Sequence, residues 1–66
     1  MKIQLNGNSH DVDANATLEQ VVALITADTA GTAAAVNEEV VPKANWAQYS
    51  LHEGDAVEIL TAVQGG

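Results

Sequence analysis

The sequence predicts a small α+β fold in which one helix packs on one face of a sheet. Three observations lead to it: alternating apolar and polar residues near both ends of the chain, a single helical stripe between them, and the order strand, strand, helix, strand, short strand, strand. With 66 residues the chain forms one domain, and its 47% hydrophobic content is mostly aliphatic.

The first segment is predicted to be a hairpin. Ile3 and Leu5 alternate with polar residues, the period-two pattern of a half-buried strand. Asn6 and Gly7 follow, and this pair favours a two-residue hairpin turn because both residues tolerate positive φ. The return strand, residues 8–13, is mostly polar. We therefore expect it at or near an edge of the sheet.

A helix is predicted after this hairpin. Thr17 is a suitable N-cap, and Gln20 three residues later completes a capping box. One apolar stripe follows at helical spacing, made of Leu18, Val21, Val22 and Ile25. We expect this stripe to meet the apolar strand residues Ile3, Leu5, Val36, Val57 and Ile59. A charged residue at Ile25 or Val57 is predicted to unfold so small a domain.

The segment after the helix is predicted to hold a strand, a turn and a short second strand. Residues 33–36 are small and apolar, residues 37–39 turn, and residues 40–41 resume. Pro42 has no N–H to donate, so it either ends the short strand or lies on an edge of the sheet. Trp46 lies in an irregular stretch, and we interpret it as pinning that loop to the core rather than binding a ligand.

The last strand is predicted over residues 56–63, after a turn at Gly54 and Asp55. Val57 and Ile59 alternate with Glu58, which makes this the strongest strand pattern in the chain. We therefore place it at the centre of the sheet, with a domain over residues 1–63 and a flexible tail over residues 64–66.

Charge and composition exclude several classes of function. Nine acidic residues face two lysines, for a net charge of −7, so nucleic acid and anionic membrane surfaces are poor partners. A basic protein partner fits better. The chain has no cysteine, no long apolar run and no signal-peptide pattern, so we expect a cytoplasmic protein that is a monomer when free.

No internal motif predicts catalysis. His10 faces away from Asp11 and Asp13 on a strand, whereas metal ligands must converge. Ser9 and Ser50 lack an evident oriented histidine, and there is no phosphate-binding glycine loop. We expect no enzyme activity, no bound metal and no bound cofactor.

The remaining candidate is the C-terminus, Val63-Gln64-Gly65-Gly66. Glycines have no Cβ and can thread a narrow channel, and four extended residues reach roughly 13 Å. The carboxylate of Gly66 could then enter a partner's active site and be activated as an acyl-adenylate. The alternative is a terminus that merely frays.

The segments "TLEQVVALI", "AAAVNEEVVPKANW" and "LHEGDAVEILTAVQGG" resemble the ThiS family of sulfur carriers in thiazole biosynthesis. The resemblance covers essentially the whole chain and implies a ubiquitin-like β-grasp fold, with a mixed sheet of four to five strands and one main helix across one face. It implies that a ThiF-type adenylyltransferase uses ATP to activate Gly66 and that a sulfur donor then forms a thiocarboxylate. A ThiG-type thiazole synthase takes the sulfur, with Val63, Gln64 and Gly65 leading into the partner's channel.

Three alternatives share parts of this pattern. A MoaD-type carrier has the same fold and terminus but serves molybdopterin, and the copurifying partner would identify it. A ubiquitin-like modifier would be found with Gly66 joined to lysines of other proteins. A β-grasp interaction module with incidental glycines would keep its function after Gly65 and Gly66 are deleted.

Overall fold

The computed structural model describes residues 1–61, and it contains one five-stranded sheet with one α-helix. The elements are β1 (Lys2–Leu5), β2 (Asn8–Asp11), α1 (Leu18–Ile25), β3 (Thr32–Val36), β4 (Glu39–Val41), a 3-10 helix (Lys43–Gln48) and β5 (Ala56–Thr61). Their order along the chain is the order that the sequence predicts.

The sheet is mixed, with the strand order β2-β1-β5-β3-β4. β1 and β5 run parallel, while β1 with β2, β3 with β4 and β3 with β5 are antiparallel. The last strand is central and the polar return strand is at an edge, so both predicted placements are confirmed. The arrangement is the mixed sheet with one main helix that the β-grasp expectation describes.

The first hairpin turns where the sequence predicts. Asn6 and Gly7 both have positive φ, 50° and 85°. The return strand ends at Asp11 rather than at Asp13. Val12 still exchanges hydrogen bonds with Met1, whereas the Asp13 carbonyl accepts from the Ala16 N–H at 3.0 Å in the following turn. Val12, the first residue after β2, is partly buried and packs against the core.

The helix begins with the predicted capping box. The Gln20 N–H donates to the Thr17 hydroxyl oxygen, and the Gln20 side-chain oxygen accepts from the Thr17 N–H at 3.0 Å. Leu18, Val21 and Val22 are buried, as predicted. Ile25 is 44% exposed, so its predicted place in the core is wrong. It is the last residue of an eight-residue helix, and periodicity fixes the side of a helix but not how far the core extends along it.

The core is aliphatic apart from one indole. Trp46 is buried, and its Nε1–H donates to the Val41 carbonyl at 2.8 Å, which ties the 3-10 helix to β4 and confirms its structural role. The buried cluster consists of Ile3, Leu5, Leu18, Val21, Val22, Ala34, Val36, Val41, Trp46, Leu51, Val57 and Ile59. Among residues 1–61, no helix has the length and apolar character that crossing a bilayer requires.

Candidate functional site

The predicted site residues Val63, Gln64, Gly65 and Gly66 lie outside the described residues. The structure therefore shows the strand that leads to them. This strand is β5, whose described part ends at Thr61. Its neighbours and its two faces define what a partner meets next to the C-terminus.

The start of β5 is held by side-chain hydrogen bonds from distant parts of the chain. Asn37, in the turn between β3 and β4, donates from Nδ2 to Asp55 Oδ1 at 3.0 Å. Its Oδ1 accepts from the Ala56 N–H at 3.0 Å. The other oxygen of Asp55 accepts from the His52 N–H at 2.8 Å. These contacts fix where the central strand begins.

The far end of β5 has a different set of neighbours. β1 runs beside it only at its first residues, where Gln4 pairs with Ala56 and Leu5 with Val57. β3 accompanies it to the end, with Thr32 paired to Thr61. The C-terminal half of β5 therefore has a backbone strand on one side only.

The two faces of β5 are chemically distinct. Val57 and Ile59 point toward the helix and are 1% and 4% exposed. Leu60 points the other way and is 72% exposed. This alternation follows from strand geometry, in which successive side chains take opposite faces of the sheet.

An apolar patch surrounds Leu60 on the face of the sheet that the helix leaves open. Ala35 pairs with both Val40 and Glu58 across the sheet, and Ala33 pairs with Leu60. Val40 is 72% exposed. These five residues, Ala33, Ala35, Val40, Glu58 and Leu60, form what we call the open-face patch. They line a shallow depression of about 110 Å³. Exposed apolar patches with a polar component often mark protein interaction sites.

A larger concavity lies elsewhere, between the end of β2 and α1. It measures about 590 Å³ and is lined by Asp11, Val12, Asp13, Ala16, Gln20, Val21 and Leu24. None of these residues belongs to β5, and the groups among them that could act as a base or nucleophile are the carboxylates of Asp11 and Asp13.

The polar residues considered in the sequence do not converge on a site in the described structure. His10 and Asp11 are exposed on the edge strand β2, and Lys2 Nζ lies 3.2 Å from Asp11 Oδ2 in an exposed ion pair. Within residues 1–61, His, Asp and Glu side chains form no group of three or more that could hold a metal ion. His52 is exposed beside the turn at Gly54.

Comparisons with known proteins agree on one family. The model of the ThiS family matches residues 3–66. A thiazole synthase from Paramagnetospirillum magneticum is 33% identical over the whole chain, although the chain spans only 20% of that protein's length. The sulfur carrier protein ThiS of Escherichia coli is 29% identical, with both proteins covered completely.

Solved structures give the same result. The crystal structure of the thiamine biosynthesis protein ThiS from Geobacter metallireducens superposes with a TM-score of 0.79 at 29% identity, covering all of both chains. The solution structure of a thiamine biosynthesis protein from the same organism gives 0.80 at 25% identity, over 100% of this chain and 88% of the other. These matches confirm the β-grasp fold and favour the thiazole branch over molybdopterin. The chain therefore belongs to the ThiS family, whose members are small sulfur carriers of thiamine biosynthesis rather than catalysts.

Proposed function

We propose that this chain carries sulfur as a thiocarboxylate on Gly66. In the first step a ThiF-type adenylyltransferase joins the carboxylate of Gly66 to the AMP part of ATP and releases pyrophosphate. Hydrosulfide then attacks the acyl carbon and displaces AMP to give the thiocarboxylate; with a persulfide donor the same attack gives an acyl disulfide, which a thiol reduces to the thiocarboxylate while the donor sulfur is oxidised to a disulfide with that thiol. A ThiG-type thiazole synthase finally takes the sulfur. ATP belongs to the activating partner, and the chain itself binds no cofactor.

One observation carries this proposal: the central strand of the sheet leads directly into the last residues of a chain whose family match extends to Gly66. β5 is held between β1 and β3 at its start, and its position is fixed by Asn37 and Asp55. A strand anchored in this way presents whatever follows it from a defined point. Residues 64–66 are proposed as a flexible tail and residues 1–63 as the domain that presents it.

The thiazole synthase partner has support from sequence similarity. The relative named thiazole synthase contains, within 20% of its length, a segment similar to this entire chain. In that protein a carrier-like segment and the rest of the synthase share one polypeptide, as expected for two units that act together. We propose that here the two are separate proteins that meet in the cytoplasm, and that the free carrier is a monomer.

The open-face patch is the proposed docking surface for these partners. Leu60 lies on the same strand that leads to the C-terminus, so a protein covering this leucine is close to the tail. Glu58 places a carboxylate inside the patch, and the chain has a net charge of −7. A partner with an apolar surface and a lysine or arginine opposite Glu58 fits both features. Val63, Gln64 and Gly65 then lead from the patch into the active site.

Intact-mass measurement tests the proposal. The chain is incubated with a ThiF-type adenylyltransferase, ATP and a sulfur source. We expect a mass gain equal to the exchange of one oxygen for sulfur, located on Gly66 by fragmentation. A matched chain with a C-terminal tag, which blocks the carboxylate, should gain nothing. No gain in the untagged chain with an enzyme that activates its own carrier would refute the proposal.

A further inference from the structure

The hydrogen bonds between β1 and β5 follow a regular parallel ladder up to the hairpin turn. The Gln4 N–H donates to the Asp55 carbonyl, and the Asn6 N–H donates to the Val57 carbonyl, each at 2.9 Å. In such a ladder the next donor, the Ile59 N–H, would be bonded to the backbone carbonyl of residue 6. The chain turns away at this residue, where φ is 50°.

A side chain takes the place of the missing carbonyl. The Ile59 N–H donates to Asn6 Oδ1 at 2.8 Å, and this bond joins residues 53 positions apart in the sequence. Asn6 therefore bonds β5 twice, with its own N–H at Val57 and with its side-chain oxygen at Ile59. The ladder is extended by one rung beyond the end of β1.

Few residue types can fill this position. The residue must adopt a positive φ for the turn and must also present an oxygen acceptor one side chain away from the backbone. Asparagine and aspartate meet both requirements, because their short polar side chains tolerate the left-handed region. Glycine meets only the first, since it has no side chain.

We propose that Asn6 is a positioning residue for the C-terminal tail. Its side-chain oxygen gives Ile59 a partner on the side that β1 does not reach, so that the end of β5 is held more firmly in the sheet and the segment to be ordered in a partner's active site is shorter. This inference rests on the proposed function. It assigns to the Asn6-Gly7 hairpin a second role, which is separate from making the turn.

The consequence of losing this bond can be estimated. Without the Asn6 oxygen, Ile59 is left with β3 as its only neighbour, as Leu60 and Thr61 already are, so the end of the strand separates more easily and lengthens the segment that the partner must order. Fixing the backbone of one additional residue weakens binding by roughly tenfold. The effect falls on binding rather than on the chemical step, because the threaded tail is the same once it is in place.

The test compares two substitutions at this position with a distant control. Asn6→Gly keeps the positive φ and removes the oxygen, whereas Asn6→Asp keeps both. Thr17→Ala removes the helix N-cap and thus lowers stability without contacting β5. For each variant, pyrophosphate release by a ThiF-type adenylyltransferase gives KM and kcat for the carrier. Amide hydrogen exchange at Ile59, Leu60 and Thr61 reports directly on the end of the strand.

We expect Asn6→Gly to raise KM roughly tenfold at unchanged kcat and to speed exchange at these three amides. Asn6→Asp should restore both properties, and Thr17→Ala should leave KM unchanged. The inference is overturned by an unchanged KM in Asn6→Gly, by a failure of Asn6→Asp to restore it, or by an equal rise in Thr17→Ala. If the wild-type carrier is not activated at all, the proposed function fails, and unchanged amide exchange in Asn6→Gly would separately refute the role of Asn6.

Discussion

Replacing Leu60 by serine should weaken docking of the activating enzyme while leaving the domain folded. Leu60 is 72% exposed in the open-face patch, on the strand that leads to the C-terminus. Leu24 is the matched control, because it is also an exposed leucine, at 59%, but it lies on α1 beside the groove next to β2. The two variants, Leu60→Ser and Leu24→Ser, make the same chemical change on different faces of the protein.

The size of the effect follows from the exposed area of the side chain. Complete burial of a leucine side chain stabilises by about 1.5–3 kcal/mol. Since 72% of Leu60 is still exposed in the free carrier, a partner that covers it gains about 1–2 kcal/mol from this residue. The loss corresponds to a roughly 5- to 30-fold weaker Kd. The free energy of unfolding should fall by less than about 1 kcal/mol, because little of the side chain is buried by folding.

Isothermal titration calorimetry with a ThiF-type adenylyltransferase measures both dissociation constants, and urea unfolding measures the stability of each variant. We expect Leu60→Ser to weaken binding by the calculated factor and Leu24→Ser to change it less than twofold. If Leu24→Ser weakens binding as much as Leu60→Ser does, or if only Leu24→Ser weakens it, the open-face patch is not the docking surface.

Two further predictions concern stability. Val57→Asp places an unpaired charge at a side chain that is 1% exposed and should abolish folding. Ile25→Asp changes a side chain that is 44% exposed and should leave a folded domain whose free energy of unfolding is lower by about 1–2 kcal/mol. Far-UV circular dichroism and urea unfolding distinguish the two variants, and loss of folding in both would contradict the assigned burial. Glu38→Gly should raise the urea midpoint, with a gain in the free energy of unfolding of about 1 kcal/mol at most, because Glu38 has a φ of 71° that glycine adopts without steric cost. A lower midpoint would show that this turn is not strained.

The sequence was sufficient where local rules determine the structure. The capping box at Thr17, the turn at Asn6 and Gly7, and the alternation in β5 each depend on residues a few positions apart, and each is confirmed. The prediction failed at Ile25, because burial there depends on how far the core reaches along the helix, and no spacing within the helix carries that information.

The side-chain bonds that set the position of β5 were also missed. Asn37 and Asp55 are 18 positions apart, and Asn6 and Ile59 are 53 apart. In the sequence these asparagines are typical turn residues, and their positive φ values of 52° and 50° bear out that interpretation. Their second role depends on which strands become neighbours in the sheet. The sequence signal for these bonds is the choice of asparagine in both turns, since glycine would adopt the same backbone conformation without a side chain.

The alternation in β5 separates the buried side chains of the core from the side chains of the proposed docking surface on one strand. Val57 and Ile59 are buried beneath the helix and hold the strand in the core, while Glu58 and Leu60 face outward and contribute little to that burial. Substitutions on the outer face can therefore alter partner binding with little loss of stability. This matters in a 66-residue chain, because domains of this size have only a small free energy of unfolding. Under the proposed function, in which an activating enzyme and a thiazole synthase recognise the same tail, the partner surface can thus change without loss of the fold.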